Sequence, residues 1–83
     1  MRQIKDIAKE INGDWKNISP HARPYLNAMF SLTDIDSMYG SDDARMVLLY
    51  FLSNATGWRG EVARRVKKEL NQMVYYPAGK MGK

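Results

Sequence analysis

Apolar residues recur along this chain at helical spacing. Ile4, Ile7, Ala8 and Ile11 fall at i, i+3, i+4 and i+7, with Lys5, Asp6, Lys9 and Glu10 between them. That pattern predicts an amphipathic helix over 3–12, closed by Asn12-Gly13 as a left-handed C-cap, with Trp15 folding the same stripe back over the core. Tyr25, Leu26, Met29, Phe30 and Leu32 supply the buried side of a second helix, placed at 23–32. Ser19-Pro20 and Arg23-Pro24 both offer it a start. A helix begun at Ser19 loses one backbone bond at Pro24, so the start falls near Pro24, where proline suits the first helical turn. A short helical turn follows near 34–38 and stops at Gly40.

The third helix is predicted at 42–54. Ser41 offers an N-cap hydroxyl to the N–H of Asp43 or Ala44, and Asp42 and Asp43 face the positive end of the helix dipole. The run Met46 to Leu52 is apolar on nearly every side, which implies a central helix wrapped by the others. A buried strand is the rival reading, but no second β-rich segment exists to pair with it. The last helix, 58–74, repeats Trp58, Val62, Val66, Leu70 and Val74 at intervals of four, with Ala63 and Met73 beside them. Opposite lie Arg64, Arg65, Lys67 and Lys68, and Glu61 stands one turn before Arg65 as an i, i+4 ion pair. Leu48, Phe51, Val66 and Leu70 are expected to be buried together. Beyond Val74 periodicity ends, and Pro77, Gly79 and Gly82 point to a flexible tail. The expected fold is all-α: a compact bundle of about four helices with a short extra helical turn, a domain over 1–74 and a basic, flexible tail over 75–83.

Composition narrows the function. Eighty-three residues make one domain, which buries about 60% of its unfolded surface and has little room for a deep catalytic cleft. At 45% apolar and 27% charged, the chain is too near the globular average for wholesale disorder. The absence of Cys excludes disulfides, thiolate metal sites and Cys nucleophiles. The longest apolar run, Met46–Leu52, is far short of the roughly 20 residues that cross a membrane. Met1 to Asp6 carry no apolar stretch behind their charges, so no secretory signal and a cytoplasmic location are expected. Asn17-Ile18-Ser19 and Asn54-Ala55-Thr56 are then chance matches to the glycosylation sequon.

Charge is unevenly spread. Residues 1–56 hold six Lys and Arg against seven Asp and Glu, and residues 57–83 hold seven against two. The excess positive charge therefore sits on the last helix and tail, where it suits an anionic partner; a plain solvated helix face is the structural alternative. The candidate macromolecule-binding residues are Arg59, Arg64, Arg65, Lys67, Lys68, Gln72, Tyr75 and Tyr76. Arg64, Arg65 and Lys68 are expected on the outward side, free of any folding role. Tyr75-Tyr76, beside Lys80 and Lys83, can stack on bases or anchor a protein contact. The order helix, Gly-containing turn, basic helix also outlines a helix-turn-helix whose recognition helix is 58–74.

No catalytic or cofactor motif appears. Asp34-x-Asp36 opens like a calcium loop, but Met38 takes the third ligand position, Gly40 falls one place late and no Glu closes it. His21, beside Pro20, has no partner implied by spacing. Gly57-Trp58-Arg59-Gly60 lacks the strand and the Lys of a phosphate loop. The expectation is a non-enzymatic protein with no cofactor and no metal.

The stretch from Tyr50 through Gly57-Trp58-Arg59-Gly60 to Arg65, together with Ser19-Pro20 and Arg23-Pro24-Tyr25-Leu26, resembles small uncharacterised proteins encoded by phages, prophages and other mobile elements of Gram-positive bacteria. The resemblance implies an accessory protein that binds a host or phage macromolecule, and assigns no residue a role. The favoured expectation is a protein partner held by the basic C-terminal helix; the alternative is DNA, and an oligomerisation role comes third.

Overall fold

A computed structural model of the chain describes residues 2–36, 38–39 and 42–75. Four helices follow in order: α1 (Ile4–Asp14), α2 (Arg23–Met29), α3 (Ala44–Ser53) and α4 (Glu61–Tyr75). α1 packs on α2 and α4, and α3 packs on the same two, so the helices close a ring. α3 packs most extensively of the four, as its apolar run predicts, but it is not enclosed on every side. Its apolar run buries Ala44, Val47, Leu48 and Phe51, yet leaves Met46 38% and Tyr50 44% exposed. In a bundle this small each helix has one face to spare for the core, so some of the apolar residues of α3 lie outside. Tyr50 is partly sheltered by stacking on Tyr25 of α2, with ring centroids 5.3 Å apart.

One contiguous core joins all four helices. Ile4, Ile7, Ala8 and Ile11 enter from α1, and Leu48, Phe51, Val66 and Leu70 are buried together as their spacing predicts. Trp15 stacks on Trp58 at 5.8 Å and meets Phe51 edge-on at 6.2 Å. These rings, which bury more apolar surface than any other side chain, pin the end of α1 against α3 and the approach to α4.

Helix ends depart from expectation where tertiary partners intervene. The first free N–H groups of α1, at Ile4 and Lys5, donate to the Thr33 and Leu32 carbonyls at 2.8 and 2.9 Å. The orphan donors of a helix start are thus met by backbone, and Gln3 caps without its side chain. At the other end α1 runs through Gly13 to Asp14, with the Trp15 N–H donating to the Ile11 carbonyl. Among the described residues only Gly60 has positive φ, so no left-handed cap forms at Gly13. A turn at Ser19, whose carbonyl accepts from Ala22 and Arg23, leads into α2. Pro24 sits in its first turn as expected. α2 stops at Met29, and residues 30–32 continue as single turns closed by Phe30, Ser31 and Leu32 N–H groups.

The helical turn expected at 34–38 is replaced. Asp34 Oδ1 accepts the Asp36 N–H at 3.0 Å, a side-chain turn that competes with helix. Met38–Tyr39 (β1) then pairs antiparallel with Asp42–Asp43 (β2), Met38 opposite Asp43 and Tyr39 opposite Asp42. This two-residue ladder leaves the architecture an all-α bundle. It also delays α3 to Ala44, where Asp43 is the cap and its Oδ1 accepts the Met46 N–H at 2.9 Å. The Ser41 cap expected from sequence falls outside the described residues. α4 starts at Glu61 instead of 58, behind Gly60 at φ 114°, a conformation that glycine adopts without strain. It reaches Tyr75, one residue into the expected tail; residues 76–83 lie outside the described set. Among the described residues no helix is long and apolar enough to cross a membrane.

Candidate functional site

The rotation of α4 is set by Ala63, Val66, Leu70, Met73 and Val74, all turned into the core. Four further positions then share the outer face: Arg64, Lys68, Gln72 and Tyr75, each exposed, Tyr75 to 61%. With a 1.5 Å rise per residue the stripe from Arg64 to Tyr75 is about 16 Å long. Among the described residues no carboxylate forms an ion pair with Arg64 or Lys68. Exposed Glu61 stands at the N-terminal end of the same side. Tyr76 lies outside the described residues.

Arg65 does not belong to this free surface. Its guanidinium is ion-paired with Glu10 of α1. Glu10 also meets Arg2, whose Nη1 lies 2.7 Å from Oε1, and Arg2 grips Glu69 through Nη2 at 2.7 Å and Nε at 3.3 Å. The chain of charges Glu69–Arg2–Glu10–Arg65 thus straps the N-terminal segment across α1 and α4. The Arg65 hydrogen bond, with Arg2 beside it, holds the Glu10 carboxyl below its ordinary value of 4.5. The local Glu61–Arg65 pair expected from spacing is therefore not made: partners brought in by the tertiary fold take Arg65 instead.

Lys67 departs from expectation too. It is half-buried, donating from Nζ to the Trp58 carbonyl at 2.7 Å and standing 6.0 Å from the Trp58 ring centroid. Burial, with the Arg59 charge near it, pulls the Lys67 ammonium below the usual lysine value. Trp58 is itself fixed: its ring is 2% exposed and its Nε1 donates to Asp14 Oδ2 at 2.8 Å. Between this loop and the first two turns of α4 lies an open cavity of about 260 Å³, lined by Trp58, Arg59, Gly60, Ala63, Arg64 and Lys67. Ala63, Arg64 and Lys67 are neighbours on α4, and Gly60 stands just before the helix. The small residues Gly60 and Ala63 leave the hollow, and three cations line it.

The structure thus joins Arg59, Arg64 and Lys67 at one cavity and sets Lys68, Gln72 and Tyr75 along the stripe leading from it. Gly60 and Ala63 escaped the sequence reading as site residues. The signal was present as two small residues three apart beside three cations, but it gains meaning only once the Trp58 loop folds over Lys67. Elsewhere, Asp34 and Asp36 lie in the turn before α3, and exposed His21 donates its backbone N–H to Ser19 Oγ. Among the described residues no three His, Asp or Glu side chains converge to hold a metal ion.

No family model, curated protein or solved structure matches the chain.

Proposed function

We propose that the protein is a non-enzymatic recognition module that docks an acidic protein partner along the outer face of α4. One observation carries the reading: a stripe with exposed cations at one end, Arg64 and Lys68, that form no ion pair among the described residues, and Tyr75, 61% exposed, at the other. Arg and Tyr are the side chains that most often anchor protein interfaces, and free cations of this kind steer an acidic partner into register. The duplex-DNA alternative draws on the same face with less support. Residues 54–60 separate α3 from α4, a longer connector than the 3–4-residue turn of a helix-turn-helix. Glu61 stands at the start of α4, where a recognition helix reads base edges. A cytoplasmic accessory role in a phage or mobile element rests on the resemblance carried by residues 50–65.

The test is a tagged pull-down from infected Gram-positive cells, comparing the parent with an Arg64→Glu, Lys68→Glu double variant, each with and without nuclease. A protein retained through nuclease treatment by the parent and lost by the variant is the expected result. Retention by the variant removes α4 from the function. Loss on nuclease treatment, with binding that falls steeply with salt, moves the partner to nucleic acid.

A further inference from the structure

We propose that the cavity between the Trp58 loop and α4 is a phosphate-monoester site, which receives a phosphorylated side chain of the protein partner. The proposal rests on the reading of α4 as the docking face and names the group that face recognises. Arg59, Arg64 and Lys67 line one hollow, and among the described residues none of the three is ion-paired with a carboxylate. Lys67 is held in position by its bond to the Trp58 carbonyl. An ammonium has three donors, so two remain for a ligand. Each guanidinium adds a planar fork suited to phosphate oxygens.

The charge decides between anions. A carboxylate brings one negative charge and two oxygens, and leaves much of the positive charge at the cavity unmatched. A phosphate monoester brings about −1.5 to −2 and three strong acceptor oxygens. Burial first, and then the like charge of Arg59, disfavour the charged form of Lys67; a dianion offsets the like-charge part. Size and shape decide the carrier. The cavity, at about 260 Å³, falls below the roughly 300–1,000 Å³ of sites that enclose whole small molecules. Being open to solvent, it also admits an anionic group carried on something larger. Arg64 belongs to both cavity and stripe, so a partner lying on α4 delivers its phosphate there. Trp58, the aromatic residue at the cavity, is 2% exposed and stacked on Trp15, so the cavity itself offers no platform for a nucleic-acid base.

The experiment is an amide NMR titration of the whole chain at pH 7.5. The probes are N-acetyl-O-phosphoserine methylamide, its unphosphorylated form, acetate, inorganic phosphate and a 5′-phosphorylated oligothymidylate. Saturable shifts at the Arg59, Gly60 and Arg64 amides are expected with the phosphoserine compound and not with its unphosphorylated form or acetate. Arg59→Gln and Arg64→Gln should each weaken binding by about tenfold or more. Lowering the pH through the second phosphate pKa of about 6 should weaken it as well. Equal shifts with acetate, or no effect of either variant, overturn the site. Binding about tenfold tighter to free phosphate or to the oligonucleotide overturns the protein-borne carrier. A flat titration alongside partner loss in the Arg64→Glu, Lys68→Glu variant rejects the cavity and keeps the docking face. A saturating titration alongside retained capture leaves an anion site at the cavity but overturns both the docking face and the partner-borne phosphate, because Arg64 belongs to both.

Discussion

Trp58 Nε1 donates to Asp14 Oδ2 at 2.8 Å, joining the last residue of α1 to the loop that precedes α4, 44 residues away. The bond fixes the depth at which the Trp58 ring lies on Trp15 and, with it, the carbonyl that holds Lys67. Asp14→Ala leaves a nearly buried indole N–H unpaired, at a cost of about 1–3 kcal/mol. The expected outcome is a lower melting temperature together with shifted NMR signals of the Gly60 and Arg64 amides, because the cavity wall is released as well. A fall in stability with those two signals unmoved would show that the loop is held by the ring stacking alone.

The charge chain through Glu10 sets an acid limit on stability. Hydrogen bonding from Arg65, with Arg2 alongside, lowers the Glu10 pKa in the folded state. A carboxyl lowered on folding contributes its stabilisation fully above its unfolded value, near 4.5, and loses it as pH falls through the lower folded value. Chemical denaturation should therefore give a plateau near neutral pH for this group and a decline below about pH 4.5. Since Arg65 is half-exposed, the gain is of the surface kind, no more than about 1 kcal/mol. Glu10→Gln should remove this part of the acid decline while lowering stability at pH 7 by about that amount. An unchanged slope in the variant would place the acid sensitivity elsewhere.

What was legible in the sequence was what local periodicity controls. The stripe Val62, Val66, Leu70 and Val74 fixed the rotation of α4, and Ile4, Ile7, Ala8 and Ile11 that of α1, because a core-facing helix repeats its apolar positions near every 3.6 residues. Features decided by distant partners were not legible. Arg65 has an acid one turn before it, yet pairs with Glu10, 55 residues away. Gly13 reads as a cap but stays helical, since the chain end it belongs to is fixed by Trp15 and by the Trp58–Asp14 bond. Lys67 reads as solvated and is bound to a loop carbonyl that a sequence pattern cannot place. The candidate cavity shares that property: its cations are legible in the positive charge of residues 57–83, but the hollow that joins them exists only once the Trp58 loop lies against α4.

The start of α3 offers a third prediction. Asp43 adopts extended backbone and its carboxylate accepts from the Met46 N–H, satisfying one of the donors left free at a helix start. Asp43→Ala should lower stability by about 1 kcal/mol, and Asp43→Ser or Asp43→Asn by much less, since these side chains cap as well. Thermal melts of the three variants separate the capping bond from the charge: if all three destabilise alike, Asp43 acts through its negative charge at the helix N-terminus and not through the bond to the Met46 N–H.

The distinction between Arg64 and Arg65 carries the last prediction, because adjacent residues of the same type have been given different work. Arg64 is exposed and, among the described residues, free of carboxylate partners, as is Lys68 one turn on. Exposed charges of this kind change stability within about 0.5 kcal/mol when replaced. Arg64→Glu with Lys68→Glu should therefore leave helicity and melting nearly unchanged while abolishing partner capture. Arg65→Glu is the opposite case. It breaks the ion pair with Glu10 and sets a second carboxylate against it, beside Glu69 one turn along α4. It should lower stability by about 1 kcal/mol at pH 7, with part of the loss returning below about pH 4.5 as the facing carboxylates protonate. Circular dichroism melts at pH 7 and pH 4 read both outcomes. Should the double variant melt far below the parent, Arg64 or Lys68 holds the fold together and the stripe is not a free docking face. Should Arg65→Glu melt like the parent, the strap across α1 and α4 carries no weight, and Arg65 returns to the pool of cations open to a partner.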